Sequence, residues 1–222
     1  MIQEPREIFR KFVLIERMVW SMNDYGNSAP DCLMSESGTF CLDADGVARH
    51  FEAAEGNPLL SEYHGYCRKA INSFVVPYGV KGLDSRILSE VWVREKFELP
   101  DGLVRIGSAS ALYGPFEFTK CDLPSVVIPP SVEELGCYAF ANCCIQRLRL
   151  PLLSHCPYAR QFKGSSIELL ELPAALQHAV VLDGKHLDVC GTLPGGTAVA
   201  SGCGCLCSIC SNAKSVGGLK FY

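Results

Sequence analysis

A short motif, an apolar residue followed by proline, recurs along most of this chain at nearly constant spacing. The prolines concerned are Pro77, Pro100, Pro129, Pro151, Pro173 and Pro194. Successive intervals between them are 23, 29, 22, 22 and 21 residues. A period of about 22 residues indicates a repeat protein, in which each unit buries its apolar face only by stacking on its neighbours.

Three apolar residues precede the proline in most units, with the spacing apolar-x-x-apolar-x-apolar. These sets are Ile71, Phe74, Val76; Leu123, Val126, Ile128; Ile145, Leu148, Leu150; and Ile167, Leu170, Leu172. The last two members of each set are two residues apart, which places both on one face of a short strand. Proline ends the strand because it has no N–H to donate. We therefore expect short parallel strands whose shared face is the core.

A third layer of the repeat lies after the proline. Phe118, Phe140 and Phe162 recur at the same period, so we expect each ring to pack on the one before it. The 29-residue interval is then a normal unit carrying about seven extra residues within 108–114. This insertion contains Tyr113, a candidate ligand-binding residue, because loops on a rigid scaffold often carry recognition.

Residues 123–143 carry a specific family resemblance. They read LPSVVIPPSVEELGCYAFANC and resemble one unit of the BspA-like leucine-rich repeats, whose pattern is roughly L-x-x-I-x-I-P-x-x-V-x-x-I-G-x-x-A-F-x-x-C. Flanking units are more degenerate, and the resemblance covers about residues 71–194. It implies an α/β solenoid, a right-handed superhelix of leucine-rich repeats with short parallel strands. It also implies binding of a protein or glycan, in an adhesin-like role, rather than catalysis.

Residues 1–70 are predicted to form an amino-terminal cap. An apolar stripe at helical spacing predicts an amphipathic helix: Ile8, Phe12, Ile15, Val19 and Met22. The helix either covers the open end of the repeats or forms a dimer seam. Residues 38–42 and 47–51, separated by an Asp/Gly cluster, predict a β-hairpin. A second helix is predicted after Asn57, with apolar positions Leu59, Tyr63, Tyr66, Ala70 and Phe74.

Residues 195–222 form a Cys- and Gly-rich tail or cap beyond the repeats. Cys203, Cys205, Cys207 and Cys210 have the spacing C-x-C-x-C-x-x-C. Their alternation predicts a final strand of small residues packed on the last repeat. Four thiolates could instead hold zinc, although the spacing departs from that of a zinc ribbon, and Cys207 with Cys210 could act as a redox dithiol.

Strand alternation also predicts which charged residues face outward. If Leu148 and Leu150 point into the core, Arg147 and Arg149 point away from it. By the same register Lys96, Glu98, Leu169 and Glu171 lie on the outer face of the stacked strands. Arg149 and Glu171 are one repeat period apart and should be cross-strand neighbours. This outer face is a candidate ligand surface, and a solvated face without a ligand is the alternative.

Composition and motifs narrow the function classes. The 20 Lys and Arg residues against 24 Asp and Glu give a net charge of -4 with no basic stripe, which argues against a nucleic-acid partner. Motifs such as G-x-S-x-G or H-E-x-x-H are absent, so we predict no enzymatic activity and no cofactor. The uncharged stretch 189–213 has too few large apolar residues for a membrane span.

The cysteines and the amino terminus bear on location. Thirteen cysteines, an odd number in a chain of this length, favour reduced buried thiols. Charged residues near the amino terminus interrupt any signal-peptide core, which predicts a cytoplasmic protein; the family resemblance points instead to the cell surface. The sequence therefore predicts a partner-binding repeat protein. The alternative is a small metal-binding or thiol-redox protein that uses the carboxy-terminal cysteines, and the oligomeric state stays open.

Overall fold

A computed structural model describes residues 31–54, 69–84, 87–88, 91–107, 122–123, 125–152, 160–189 and 204–222. Most of these residues form short strands joined by turns. The strands are β1 (Asp31–Ser35), β2 (Gly38–Leu42), β3 (Val47–Ala53), β4 (Lys69–Val75), β5 (Gly82–Leu83), β6 (Val91–Glu98), β7 (Arg105–Ile106), β8 (Asp122–Leu123), β9 (Val126–Val127), β10 (Glu134–Leu135), β11 (Cys144–Arg149), β12 (Ser166–Leu172), β13 (Val180–Asp183), β14 (His186–Val189), β15 (Ser215–Val216) and β16 (Leu219–Phe221). The described helices are a 3-10 turn, Ala174–Leu176, and α1, Gly204–Asn212.

Eight strands form two sheets, each paired in parallel, that contact each other; together we call them the major ladder: β4, β6, β8, β9, β11, β12, β15 and β16. β4 pairs with β6, and β6 contacts β8 and β9. β11 pairs with β8 and β9 on one side and with β12 on the other. β12 then pairs with β15 and β16. The ladder repeats one strand per unit, as the periodic motif predicts.

The register of the major ladder follows the sequence period. Leu148 lies opposite Leu170, and Arg149 lies opposite Glu171, so the members of each pair are one repeat period apart. Leu148 and Leu170 are fully buried, which confirms the inward face. The Leu150 N–H donates to the Glu171 carbonyl at 3.0 Å just before Pro151. The next residue has no N–H, so the pairing ends there.

A second, minor ladder consists of β3 and the two-residue strands β5, β7 and β10, all paired in parallel. The hairpin strands β1 and β2 extend this ladder in antiparallel fashion. Its inward residues Leu83, Ile106 and Leu135 are fully buried and join the apolar residues of the major ladder in one hydrophobic cluster. Each unit therefore contributes to two faces of one continuous core, which no single unit could bury alone.

The phenylalanine column of the repeat is present where the structure describes it. The rings of Phe140 and Phe162 are fully buried and stack with centroids 5.6 Å apart and planes 7° from parallel. Phe118 lies outside the described residues. The chain turns near these rings through Tyr138 and Asn142, whose φ values are 58° and 56°. Asparagine tolerates this left-handed conformation, and the Asn142 N–H donates to the Lys163 carbonyl at 2.8 Å.

The predicted hairpin at residues 38–42 and 47–51 is formed by β2 and β3. Phe40 and Phe51 from this hairpin pack on Phe74 of β4, with ring centroids 5.4 and 5.0 Å from that of Phe74. Ser37, at the turn between β1 and β2, is buried and exchanges hydrogen bonds with the backbone of Val75. The hairpin thus covers the first strand of the major ladder. The predicted helix within residues 1–22 lies outside the described residues, and the domain boundaries stay a prediction.

The helix predicted after Asn57 does not extend as far as the sequence pattern suggests. Ala70 and Phe74, assigned to that helix, lie in β4 and pair with Trp92 and Phe97 of β6. A register shift between Ile71 and Ser73 changes the side-chain alternation. Ala70 and Phe74 are four residues apart and share a face in a strand as they would in a helix, and the bulge lets Ile71, three residues before Phe74, be buried as well. The earlier part of that helix lies outside the described residues.

The carboxy-terminal part differs most from expectation. The strand position next to β12 is occupied by β15 and β16, not by the unit that ends at Pro194. Between them lie the antiparallel hairpin β13–β14 and helix α1. The predicted strand through Cys203, Cys205 and Cys207 is wrong, because α1 begins at Gly204. Tertiary contacts override the alternation: Ile209 of α1 is buried, and Ser208 Oγ accepts the Phe162 N–H at 3.2 Å.

The described residues support a repeat solenoid built mainly from strands. The α/β character and the right-handed superhelix stay predictions, because turns make most of the described connections between strands. Prolines and glycines such as Pro129, Pro130 and Gly136 favour turns in these short connections. No helix in the described part of the chain is long and apolar enough to cross a membrane.

Candidate functional site

The outward-facing positions of the major ladder, which we call the outer face, hold the predicted ligand-binding residues. Arg147 and Arg149 of β11 point away from the core, and 46% of the Arg147 side chain is exposed. Their neighbours in β12 are Leu169 and Glu171. The sequence-based assignment of these four residues to one face therefore agrees with the register.

A charged cluster forms where β11, β12 and β16 lie side by side. The Arg147 guanidinium donates to the Glu171 carboxylate, with Nη2 and Oε2 2.8 Å apart. Lys220, the register partner of Glu171 in β16, places its Nζ 3.7 Å from Oε1. One carboxylate therefore lies between cations from both neighbouring strands.

An aromatic ring completes this cluster. Arg149 places its guanidinium carbon 3.6 Å from the ring centroid of Tyr222, a cation–π contact. The Tyr222 hydroxyl donates to the Leu150 carbonyl at 2.9 Å, which fixes the ring beside β11. We call Arg147, Arg149, Glu171, Lys220 and Tyr222 the outer-face cluster. It holds three cations against one carboxylate, so its charge is positive at neutral pH.

Glu171 is much more buried than an outer-face position predicts. Only 3% of its side chain is exposed, because the long side chains around it cover it. The hydrogen bond from Arg147 lowers the pKa of Glu171 below its ordinary value of 4.5. Desolvation opposes this shift, and the charges of Arg147, Lys220 and Arg149 add to it. The carboxylate is thus ionised and fixed at neutral pH.

At the other end of the outer face, Lys96 and Glu98 of β6 are exposed as predicted. Lys96 Nζ lies 2.6 Å from Glu36 Oε1 and 3.3 Å from Glu98 Oε2. Hydrogen bonds to Glu36 and then Glu98 raise the pKa of Lys96 above its ordinary value of 10.5. Glu36 lies in the β1–β2 turn, so this group links the hairpin to the major ladder.

An exposed apolar side chain lies beside the outer-face cluster. Val127 of β9 pairs in register with Arg149 and is 46% exposed. An exposed apolar residue next to fixed arginines is a combination that protein partners use, since apolar contact adds affinity and arginine adds specificity. The outer face therefore offers a mixed apolar and cationic surface on a rigid strand ladder.

Sequence reasoning missed Lys220 and Tyr222, although a signal for them exists. Val216, Leu219 and Phe221 have the same apolar-x-x-apolar-x-apolar spacing as the other units. They pair with Ile167, Leu170 and Leu172 in register. The motif was hidden because no proline follows Phe221 in this unit. With this spacing taken into account, Lys220 lies at an outward position between Leu219 and Phe221.

The remaining candidate residues are not tested. Tyr113 and Cys203 lie outside the described residues. Cys205 and Cys207 are described only as positions in α1, and Cys210 is half-buried near the end of that helix. Within the described ranges no three His, Cys, Asp or Glu side chains are grouped in a way that could hold a metal ion. The zinc and dithiol interpretations of these cysteines stay predictions.

Comparison with known protein families confirms the resemblance seen in residues 123–143. The BspA type leucine rich repeat region matches residues 112–179 in six copies. This segment includes β8 to β12 and three members of the outer-face cluster, Arg147, Arg149 and Glu171. Proteins of this family are generally binding modules without enzymatic activity. Comparisons with curated proteins and with solved structures gave no match.

Proposed function

We propose that this protein is an interaction module that binds a protein partner through the outer face of its major ladder. The outer-face cluster is the observation that carries this proposal. It presents positive charge, an aromatic ring and an adjacent exposed valine on neighbouring strands. The complementary partner surface is an acidic segment with an apolar residue beside it.

The order of the cluster supports recognition of carboxylates. Arg147 is held by Glu171, and Arg149 is held against the Tyr222 ring, so less side-chain entropy is lost when a partner binds. A guanidinium can donate two parallel hydrogen bonds to a carboxylate. The half-exposed Arg147 side chain leaves room for such contact. The cluster therefore combines fixed geometry with partial access to solvent.

A purely structural role is the main alternative. Arg147, Glu171 and Lys220 join three neighbouring strands, and the same contacts would help to hold β16 on the ladder. Both roles predict some loss of stability when the cluster is broken. They differ in what the intact, folded surface contacts in the cell, so the test has to report contact and not only folding.

Site-specific photo-crosslinking separates the two roles. A photo-reactive phenylalanine analogue replaces Val127 in the full chain, in the cells that produce the protein. The matched control places it at Val181, which is 51% exposed in the β13–β14 hairpin. We expect one discrete protein adduct from position 127, and none at the same mass from position 181. Equal adducts from both positions, or none from position 127, would contradict the proposal.

The chemistry of the contact is tested by a charge change in the same cells. Arg147→Glu with Arg149→Glu should reduce the adduct from position 127 by about tenfold, because opposed charges become like charges. The control, Lys81→Glu with Lys163→Glu, changes net charge equally at exposed positions outside the strands of the major ladder. Melting curves of both double variants show whether each is folded. An unchanged adduct in a folded Arg147→Glu, Arg149→Glu variant would remove the cluster from the binding surface.

A further inference from the structure

Two cysteines face each other across the amino-terminal hairpin, away from the outer face. Cys32 of β1 and Cys41 of β2 are register partners in the antiparallel pair. Their Sγ atoms are 3.1 Å apart. Both side chains are half-buried, so a small molecule in solution can reach them.

We propose that Cys32 and Cys41 are a redox site that forms a reversible disulfide by thiol–disulfide exchange with a low-molecular-weight disulfide such as oxidised glutathione. This inference is independent of the proposed binding function. It concerns the hairpin that covers the first strand of the major ladder. In this hairpin β1 and β2 would be joined by a disulfide in the oxidised state and by non-covalent contacts alone in the reduced state.

The strand geometry suits such a bond. Directly opposed residues in antiparallel strands have Cα atoms about 4.5 to 5.5 Å apart, within the range of about 4.4 to 6.8 Å found for disulfides. The sulfurs must approach by about 1 Å to reach the S–S bond length of about 2.05 Å. Rotation of the two side chains can supply this movement, so the backbone pairing of β1 with β2 can be kept.

The exchange balances in two steps. The thiolate of one cysteine attacks oxidised glutathione, forms a mixed disulfide and releases one glutathione thiolate. The second cysteine loses its proton and attacks the protein sulfur of the mixed disulfide, which expels the second glutathione thiolate. Two protein thiols thereby lose two electrons and two protons, and the glutathione disulfide is reduced to two thiols.

The environment of Cys41 makes this reaction dependent on pH. Burial, the neighbouring Cys32 thiol and the charge of Glu52 raise the pKa of Cys41 to about 12. Cys41 is therefore protonated at neutral pH, and a thiolate is the reactive form. We expect the rate of disulfide formation to rise as the pH is raised from about 7 to about 9.

The disulfide would fasten β1 to β2. Among the described strands β1 is the last one of its sheet, and its Leu33 packs against the core. The turn that joins β1 to β2 contains Glu36, which pairs with Lys96, and Ser37, which bonds Val75. The disulfide would join β1 to β2 on both sides of this turn. It would thereby stabilise the contacts that Glu36 and Ser37 make with the major ladder.

The test uses the purified, fully reduced chain in glutathione buffers of graded redox ratio, followed by alkylation with N-ethylmaleimide and peptide mass spectrometry. No Lys or Arg lies between residues 18 and 48, so trypsin leaves both cysteines in one peptide that ends at Arg49. A second protease that cleaves after Glu36 separates them unless a disulfide joins them. We expect a joined pair, lighter than the reduced pair by about 2 Da and free of alkylation.

Two variants make the result specific. In Cys41→Ser the Cys32 peptide should carry glutathione, because no second thiol resolves the mixed disulfide, and Cys32→Ser should give the reciprocal result on Cys41. The matched control is Cys144→Ser, which removes an exposed cysteine of β11 and should leave the joined pair unchanged. If Cys32 and Cys41 are both alkylated at every ratio, or are joined to other cysteines instead, the proposal is wrong.

Discussion

The two ends of the outer face place a glutamate at the same point of the repeat, yet the two side chains have different environments. Glu98 and Glu171 each lie two residues before a proline, Pro100 and Pro173. The Glu98 side chain is 55% exposed and the Glu171 side chain is 3% exposed. Repeat position therefore determines the direction of a side chain but not its burial.

The difference arises from the neighbouring strands. Glu171 lies between Arg147 on β11 and Lys220 on β16, and long cationic side chains reach it from both sides. Glu98 pairs with Lys96 on its own strand, and its register partner in β4 is Val75. A carboxylate tolerates loss of water only when fixed cations and hydrogen bonds replace it. Arg147 and Lys220 therefore allow the Glu171 carboxylate to be buried, whereas Glu98, among the described residues, lacks such neighbours on both sides and stays exposed.

The largest expected effect tests whether the two ends differ only on the outer face and share one core. Phe74→Ala and Phe162→Ala remove fully buried rings near opposite ends, and each should destabilise the protein by about 3 to 5 kcal/mol. Urea denaturation measures both. Tyr78→Ala, at an 83% exposed aromatic side chain, is the control and should change little. Two separate unfolding transitions in either variant would show that the ends do not unfold together.

A matched pair of substitutions tests the comparison itself. Glu171→Gln should cost about 1 to 2 kcal/mol, because Arg147 and Lys220 keep their charges and can regain water only in part. Glu98→Gln removes the same charge from an exposed ion pair and should leave the urea midpoint unchanged. Equal effects from the two substitutions would mean that the burial of Glu171 has no energetic consequence.

Much of the repeat could be predicted from the sequence. The strand register, the inward Leu148, the outward Arg147 and Arg149, and the stacking of Phe140 on Phe162 all follow from periodicity and strand alternation. These features depend on residues within one unit and its neighbour, so local sequence carries the information.

The last strand and the buried glutamate could not be predicted in the same way. Ile167 pairs with Val216, which lies more than two repeat periods further along the chain, so an insertion longer than one repeat precedes the last unit. The entropic cost of closing a loop grows only slowly with loop length, so β15 and β16 can pair with β12 despite the long insertion. The burial of Glu171 depends on Lys220 and Tyr222, which lie beyond this insertion. The repeat period could therefore be predicted from the sequence, whereas the residues that make up the outer-face cluster could not.

The pH dependence of stability offers a further test of the two glutamates. The Glu171 pKa is lowered in the folded chain, so its contribution is fully present above its ordinary pKa of 4.5 and is lost as pH falls through the folded value. The stability difference between the parent and Glu171→Gln should therefore shrink as the pH falls through this range. Urea midpoints measured at a series of acidic pH values give this difference directly.

Asp43 supplies the control for the acid range, since it lies in the hairpin and not on the outer face. Partial burial raises the pKa of Asp43, but hydrogen bonds from Val47 and Arg49 outweigh it and hold the pKa below its ordinary value of 3.8. Glu171→Gln should therefore keep some acid sensitivity, and adding Asp43→Asn should reduce it further. A Glu171→Gln variant with the full acid sensitivity of the parent would show that Glu171 is not ionised at lower pH than an ordinary glutamate.

The smallest expected effect concerns Tyr222, which makes two separable contacts at the carboxy-terminal end of the outer face. Tyr222→Phe removes the hydroxyl that donates to Leu150 but keeps the ring beneath Arg149, so it should cost about 0.5 to 1.5 kcal/mol. Tyr222→Leu removes the aromatic face as well and should cost more, because the cation–π contact is lost. If the two variants have the same urea midpoint, the ring contributes nothing to holding Arg149, and the hydrogen bond to Leu150 is the only one of the two contacts that stabilises the protein.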